Sequence, residues 1–156
     1  MGVIADRLAE LGLTLPAVAA PVATYVPAVR SGNLVYTSGQ LPFVAGALPA
    51  TGKVGDGEGL VPLADAAGYA RIATLNALAA VGALIGDLDK IARVVKVVGY
   101  VASDPSFTGQ PKVINGASDL LGEIFGDAGV HARSAVGVAV LPMDSPLEIE
   151  LLVELR

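Results

Sequence analysis

Cysteine is absent from the 156 residues, tryptophan is absent too, and histidine occurs once, at position 131. Without cysteine there is no disulfide, no thiol nucleophile and no thiolate metal site. A single histidine argues against a histidine-built metal site or a serine–histidine triad, so no metal is expected. Aromatic residues make up only 4% and the net charge is −5. Neither suits a surface that tracks phosphates and stacks bases, which disfavours nucleic acid as a partner. Charged residues are scarce as well, at 16% against 53% apolar.

That imbalance gives a mean hydropathy of +0.64, high for a soluble monomer. It fits either a membrane protein or a subunit that buries surface against copies of itself. The most apolar stretch, Ile72 to Ile85, is interrupted by Thr74 and Asn76 and bounded by Arg71 and Asp87. It falls short of the roughly 18–20 uninterrupted apolar residues of a membrane span. The opening MGVIADRLAELG carries charges where a signal peptide needs an apolar core. A cytoplasmic homo-oligomer is the expectation, with no membrane partner, and the length suits one domain over 1–156.

Ile4, Leu8 and Leu11 fall at helical spacing and Gly12 supplies a stop, so 3–11 reads as a short helix. A Pro/Ala connector, Thr14 to Pro21, follows. Ala23–Arg30 and Leu34–Ser38 are β-rich runs joined by Ser31-Gly32-Asn33, a hairpin signal. Residues 39–58 hold glycines at 39, 46, 52, 55 and 57 and read as a long surface excursion. Residues 62–86 form the clearest helix and Pro111–Phe125 a second; Ile91–Val101, Ser134–Leu141 and Leu147–Leu155 read as strands. The alternation predicts an α/β (α+β) fold, one mixed sheet with both long helices on one face. The other face then needs a cover, which the apolar surplus assigns to another subunit.

Arg133 heads a strand in which Ala135, Gly137 and Ala139 line its own side and Val136, Val138 and Val140 the other. A row of tiny side chains leaves room for a ligand beside the guanidinium, whose rigid fork suits a carboxylate. Along the last strand Leu147, Ile149, Leu151 and Val153 share the core face, so Glu148 and Glu150 point away from it. Glu148 becomes a candidate to orient or deprotonate water only with a substrate nearby. If the last two strands pair through 142–146, Arg133 and Glu148 lie about seven residues apart along the ladder, roughly 23 Å. One small ligand could then touch both only between subunits. His131 reads as a loop or capping residue, and the glycine-rich stretch lacks a phosphate-loop pattern.

Tyr25-Val26-Pro27-Ala28-Val29, then Gly32-Asn33-Leu34-Val35-Tyr36-Thr37-Ser38-Gly39-Gln40-Leu41-Pro42, Asn115, Ala132-Arg133-Ser134-Ala135-Val136, Leu141-Pro142 and Glu148-Ile149-Glu150 occur in one order over about 22–154. Together they resemble the YjgF/RidA family of reactive-intermediate deaminases, in a longer subgroup. The resemblance implies a chorismate-mutase-like fold, a homotrimer with ligand clefts between subunits, and no cofactor. It implies hydrolysis of enamines and imines such as 2-aminoacrylate to 2-oxo acids and ammonia. Arg133 would clamp the substrate carboxylate, Glu148 would position the attacking water, and Tyr25, Ser38 and Asn115 would line the cleft. The alternative is a non-catalytic module that binds small carboxylates in the same cleft. Two departures stand out: Ala135 where many members carry cysteine, and His131 where proline is common.

Overall fold

The computed structural model describes residues 2–18 and 23–156; part of the Thr14–Pro21 connector lies outside them. Eight main elements follow in order: α1 (Val3–Glu10), β1 (Ala28–Ser31), β2 (Leu34–Thr37), α2 (Leu63–Ile85), β3 (Ile91–Ala102), α3 (Gln110–Phe125), β4 (Ala132–Val138) and β5 (Leu147–Leu155). The β1–β2 hairpin closes on Gly32 and Asn33, with Gly32 at φ +62°, the left-handed geometry a two-residue hairpin turn requires. Of the 23–30 run only Ala28 onward joins the sheet, and the strand extends one residue further, to Ser31.

The five strands form one mixed sheet in the order β1-β2-β5-β3-β4. β5 is antiparallel to both β2 and β3, whereas β4 is parallel to β3 and occupies the edge. A hairpin between the last two strands is therefore not formed. A short 3-10 turn at Pro142–Asp144, with Met143 and Asp144 both at positive φ, redirects the chain so that β5 inserts between β2 and β3. The strand expected over Ser134–Leu141 also begins and ends earlier, at Ala132 and Val138, where the Val138 carbonyl accepts from the Ser103 amide.

Both long helices pack on one face: α2 lies over β5 and β2, α3 over β3 and β4. Leu147, Ile149, Leu151, Val153 and Leu155 of β5 are all buried beneath them, as period-two alternation dictates. α2 is apolar almost all round because it is a core helix, with Ala66, Ala70, Ala73, Ala77, Leu78 and Val81 buried. Its length and composition would let it cross a membrane, but that apolar surface is spent on the sheet and on α3. The helices touch closely at Gly116, where a β-carbon would lie 2.9 Å from the Ala67 carbonyl carbon and nearer still to its oxygen.

The 39–58 excursion is pinned rather than free. Val54 is fully buried and bridges Val61 and Ser103, and the Asn76 side chain donates to the Leu41 and Phe43 carbonyls. At the other end of the molecule α1 has no cap of its own. The Asp89 carboxylate accepts from the Val3 and Ile4 amides at 2.7 and 2.8 Å, capping a helix 85 residues away in sequence.

Candidate functional site

Register decides where the candidate residues fall. Val97 of β3 stands beside both Leu151 and Arg133, so Arg133 shares the helix-covered side of the sheet with buried Leu151. Its guanidinium reaches α3. Nη1 donates to the Asn115 Oδ1 at 2.9 Å and to the Ser118 Oγ at 3.1 Å, residues one helical turn apart. Both Nη1 hydrogens are thereby committed. Nε and Nη2 donate to nothing among the described residues, which leaves that edge of the fork for a ligand. Asn115 thus holds the arginine.

Ser118 continues the network. Its Oγ lies 3.0 Å from the His131 Nε2, and the His131 Nδ1 lies 2.6 Å from the Gly129 carbonyl oxygen. A carbonyl only accepts, so Nδ1 carries a proton, and in the neutral imidazole Nε2 is the acceptor. Arginine only donates, so Ser118 accepts from Arg133 and turns its own hydrogen to His131. Every polarity in this chain follows from the donors and acceptors at its ends. Ser118, Gly122, Gly129, Val130, His131 and Arg133 line a recess of about 340 Å³. A recess of similar size between α1 and the end of α2 is walled by Leu8, Leu15, Ala79 and Ala83, with no comparable polar cluster.

The tiny side chains beside Arg133 have a different role from the one expected. Ala135 packs against the core, and a β-carbon on Gly137 would lie 2.8 Å from the Gln110 Nε2 of α3. The row seats a helix, and the ligand space lies further along, at the helix's other end. His131 is likewise a partner of a helical serine rather than a loop cap. Ser118 was missed: thirteen residues from His131, it has no sequence signature beyond its place three after Asn115.

The second group gathers at another corner. The Ser38 hydroxyl donates to the Val26 carbonyl at 2.6 Å, beside exposed Tyr25. Next to Ser38, Gly39 lies against Glu148, and a β-carbon there would be 2.6 Å from the carboxyl carbon. Glu148 is half-buried, and burial, reinforced by the nearby Glu150 charge, raises its pKa above the usual carboxylate range. Tyr100, paired with Glu148 across β3, is raised by burial and by the charges of Glu150 and Glu148.

Ser38 and Glu148 are therefore neighbours through Gly39, with Tyr25 next in sequence to the Val26 that Ser38 bonds, and Arg133 with Asn115 forms a separate group. Glu148 stands three residues along and two strands across from Arg133, about 14 Å at sheet spacings, and on the opposite face. The separation is shorter than the hairpin geometry implied. It still prevents one small ligand from touching both within a subunit. Among the described residues no three histidine, aspartate or glutamate side chains are grouped to hold a metal ion.

Residues 5–155 match the model of the family described as "YjgF/chorismate mutase-like, putative endoribonuclease". Protein TCP17 of Trypanosoma cruzi is 45% identical over 158 residues, covering 99% of this chain and 96% of that protein. The crystal structure of Atu1372 from Agrobacterium tumefaciens is 49% identical with a TM-score of 0.89, covering 99% and 93% of the two chains. That of Escherichia coli TdcF with bound serine is 26% identical with a TM-score of 0.62, covering 92% and 95%.

Proposed function

The chain belongs to the YjgF/chorismate mutase-like family, and on that premise we propose that it hydrolyses small carboxylate-bearing enamines and imines, of the 2-aminoacrylate type, to 2-oxo acids and ammonia. The observation that carries this reading is the state of Arg133. One nitrogen is tied to Asn115 and Ser118, the Nε/Nη2 edge has no partner among the described residues, and Arg133 lines a small recess. A planar, pre-oriented donor pair recognises a carboxylate with little ordering cost. The recess fits a ligand of a few heavy atoms. A relative crystallised with serine bound, TdcF, gives the same chemistry: a small acid bearing nitrogen at its α-carbon.

The reading completes the site between copies of the chain. The face of the sheet away from the helices carries Val29, Tyr36 and Val136, each about half exposed, and a homotrimer would cover it. There Glu148 of one copy would meet the Arg133 recess of the next and orient water, its raised proton affinity matching the task. A monomeric mass by light scattering at micromolar concentration would defeat this part.

The modest chemistry suits so few groups, because an acceleration of about 10³ needs only about 4 kcal/mol of transition-state stabilisation. 2-Aminoacrylate generated in situ, with ammonia and pyruvate followed as products, tests the activity. A bidentate charge-assisted contact contributes about 1.5–3 kcal/mol, so Arg133→Ala should lower kcat/KM by about 10- to 150-fold. An Arg133→Ala protein as fast as the parent refutes the assignment. Pyruvate-dependent thermal stabilisation that disappears in Arg133→Ala, with no turnover by the parent, would instead establish the binding-module reading.

A further inference from the structure

We infer that Gly39 is a positioning residue: by carrying no side chain it seats the Glu148 carboxyl against the main chain of residues 38–40, in the place from which the reading above has it orient water. The inference rests on that reading for its catalytic consequence and adds to it the residue that aims the carboxyl. A β-carbon on Gly39 would lie 2.6 Å from the Glu148 carboxyl carbon, 3.0 Å from its γ-carbon and nearer still to Oε1. Its three nearest neighbours would thus all be atoms of one side chain. Gly39 is not among the glycines at positive φ, so no left-handed backbone demands glycine there. Contact with Glu148 is what demands it.

The seat cannot move aside, because the chain is fastened on both sides of Gly39. Before it, the Ser38 amide donates to the Pro27 carbonyl at 2.8 Å and the Ser38 hydroxyl to the Val26 carbonyl at 2.6 Å. After it, Gln40 and Ile149 exchange two main-chain hydrogen bonds, at 2.8 and 3.0 Å, which staple the segment to β5 one residue from Glu148. Ile149 is fully buried, so that end of the staple is anchored in the core. The Glu148 side chain is the part that can yield, by turning about its own single bonds. A methyl at position 39 therefore drives the carboxyl out of its seat, by about 1 Å or more to restore van der Waals separation, and leaves the sheet in place.

Seating has a chemical consequence. The carboxyl is half-buried, and burial together with the Glu150 charge holds its proton affinity above that of a free carboxylate. The titratable groups around it are Glu150 on the same strand and Tyr100 across on β3; Ser38, Gly39 and Gln40 bring none. Displaced into water, the group loses the desolvation that raised it and keeps only the screened influence of Glu150. It also loses its aim, and a misplacement of 1 Å costs a reaction about 10²-fold.

Gly39→Ala, Glu148→Ala and the double variant test the inference, each with its melting temperature. Carbon-13 NMR of labelled glutamate, assigned by comparison with Glu148→Ala, should show Glu148 of Gly39→Ala titrating at lower pH than in the parent. A raised folded pKa stabilises only below the unfolded carboxyl range, and that gain is lost as pH rises through the folded value. Release of the carboxyl should therefore leave Tm at neutral pH no lower than the parent's. On 2-aminoacrylate kcat should fall about 10- to 100-fold, while KM moves by less than about threefold because Arg133 still holds the carboxylate. Adding Gly39→Ala to Glu148→Ala should change neither turnover nor stability. An unchanged Glu148 titration in Gly39→Ala overturns the inference, as does a displaced carboxyl with turnover within about twofold of the parent. Unfolding by Gly39→Ala that is equal with and without the Glu148 side chain overturns it too, because glycine would then serve the backbone; unfolding that the double variant relieves supports the contact. No turnover by the parent overturns the hydrolase reading alone, and the titration still decides the seat.

Discussion

Gly116 separates two forces that act in opposite directions on the same substitution. Gly116→Ala should gain about 1 kcal/mol of helix propensity, the ordinary benefit of alanine inside a helix. The added methyl, however, would lie 2.9 Å from the carbonyl carbon of Ala67 on α2 and 3.2 Å from its α-carbon. These are backbone atoms with no rotamer to yield, so the two helices must part by about 1 Å to restore van der Waals distance. Overpacking of this kind costs about 1–3 kcal/mol, and an unyielding neighbour places it at the upper end. The net loss is then about 2 kcal/mol, a fall in Tm of about 4–8 °C for a chain of this length. Gly68→Ala is the matched control, since a β-carbon there meets nothing within 4 Å. It should raise Tm by about 1–4 °C through propensity alone. Calorimetry of both variants at equal protein concentration checks the pair. The displacement would also carry Asn115 and Ser118 off the Arg133 Nη1, so pyruvate should bind more weakly to Gly116→Ala alone. A Gly116→Ala protein as stable as the parent would refute the reasoning that the Ala67 backbone leaves no room for a side chain at 116.

The raised pKa of Glu148 means that the native state binds this proton more tightly than the unfolded chain. The stability this gives is complete below the unfolded carboxyl range and is lost as pH rises through the folded value. Glu148→Gln should therefore raise Tm at neutral pH, with the gain vanishing near about pH 4, while turnover falls. The Arg71–Glu123 pair has the opposite sign. The Arg71 hydrogen bond lowers the pKa of Glu123, so its contribution is present above the unfolded carboxyl range and is lost as pH falls through the folded value. With both side chains more than a third exposed, a double-mutant cycle should return no more than about 1 kcal/mol, and less in high salt. Asp89→Ala should release the amide end of α1 at a cost of about 0.5–2 kcal/mol. Hydrogen exchange should then quicken over Val3–Glu10 and leave β3 unchanged.

Much of the fold is legible in the chain because periodicity survives context. The alternation of Leu147 through Leu155 identifies both the strand and its buried face, and the all-round apolarity of α2 marks a core helix. Partner choice is a different matter. Proximity in sequence favours a β4–β5 hairpin, but β5 is apolar on one face and pairs on both edges, which local pattern does not encode. The candidate site divides the same way. Arg133 and Glu148 stand out through motif and parity, and the prediction that they lie too far apart to share a ligand survives the change of topology. The roles of Asn115, Ser118 and His131 depend on how α3 is draped over β4, a tertiary relation. The small residues at 135 and 137 are ambiguous by nature, since room for a helix and room for a ligand call for the same side chains.

β5 is the last strand in chain order and lies in the middle of the sheet, with neighbours on both sides. During synthesis the β1–β2 hairpin and the β3–β4 pair each wait with an edge of unpaired amides and carbonyls facing the gap that β5 will fill. Such edges accept any extended segment, including the β5 of another nascent chain. Closure joins segments more than a hundred residues apart, as Leu34 and Glu154 are, the kind of non-local pairing that slows folding. The molecule is therefore most exposed to aggregation just before it is complete, and any lesion that removes or breaks β5 separates the sheet into two halves, with Arg133 on one and Ser38 on the other.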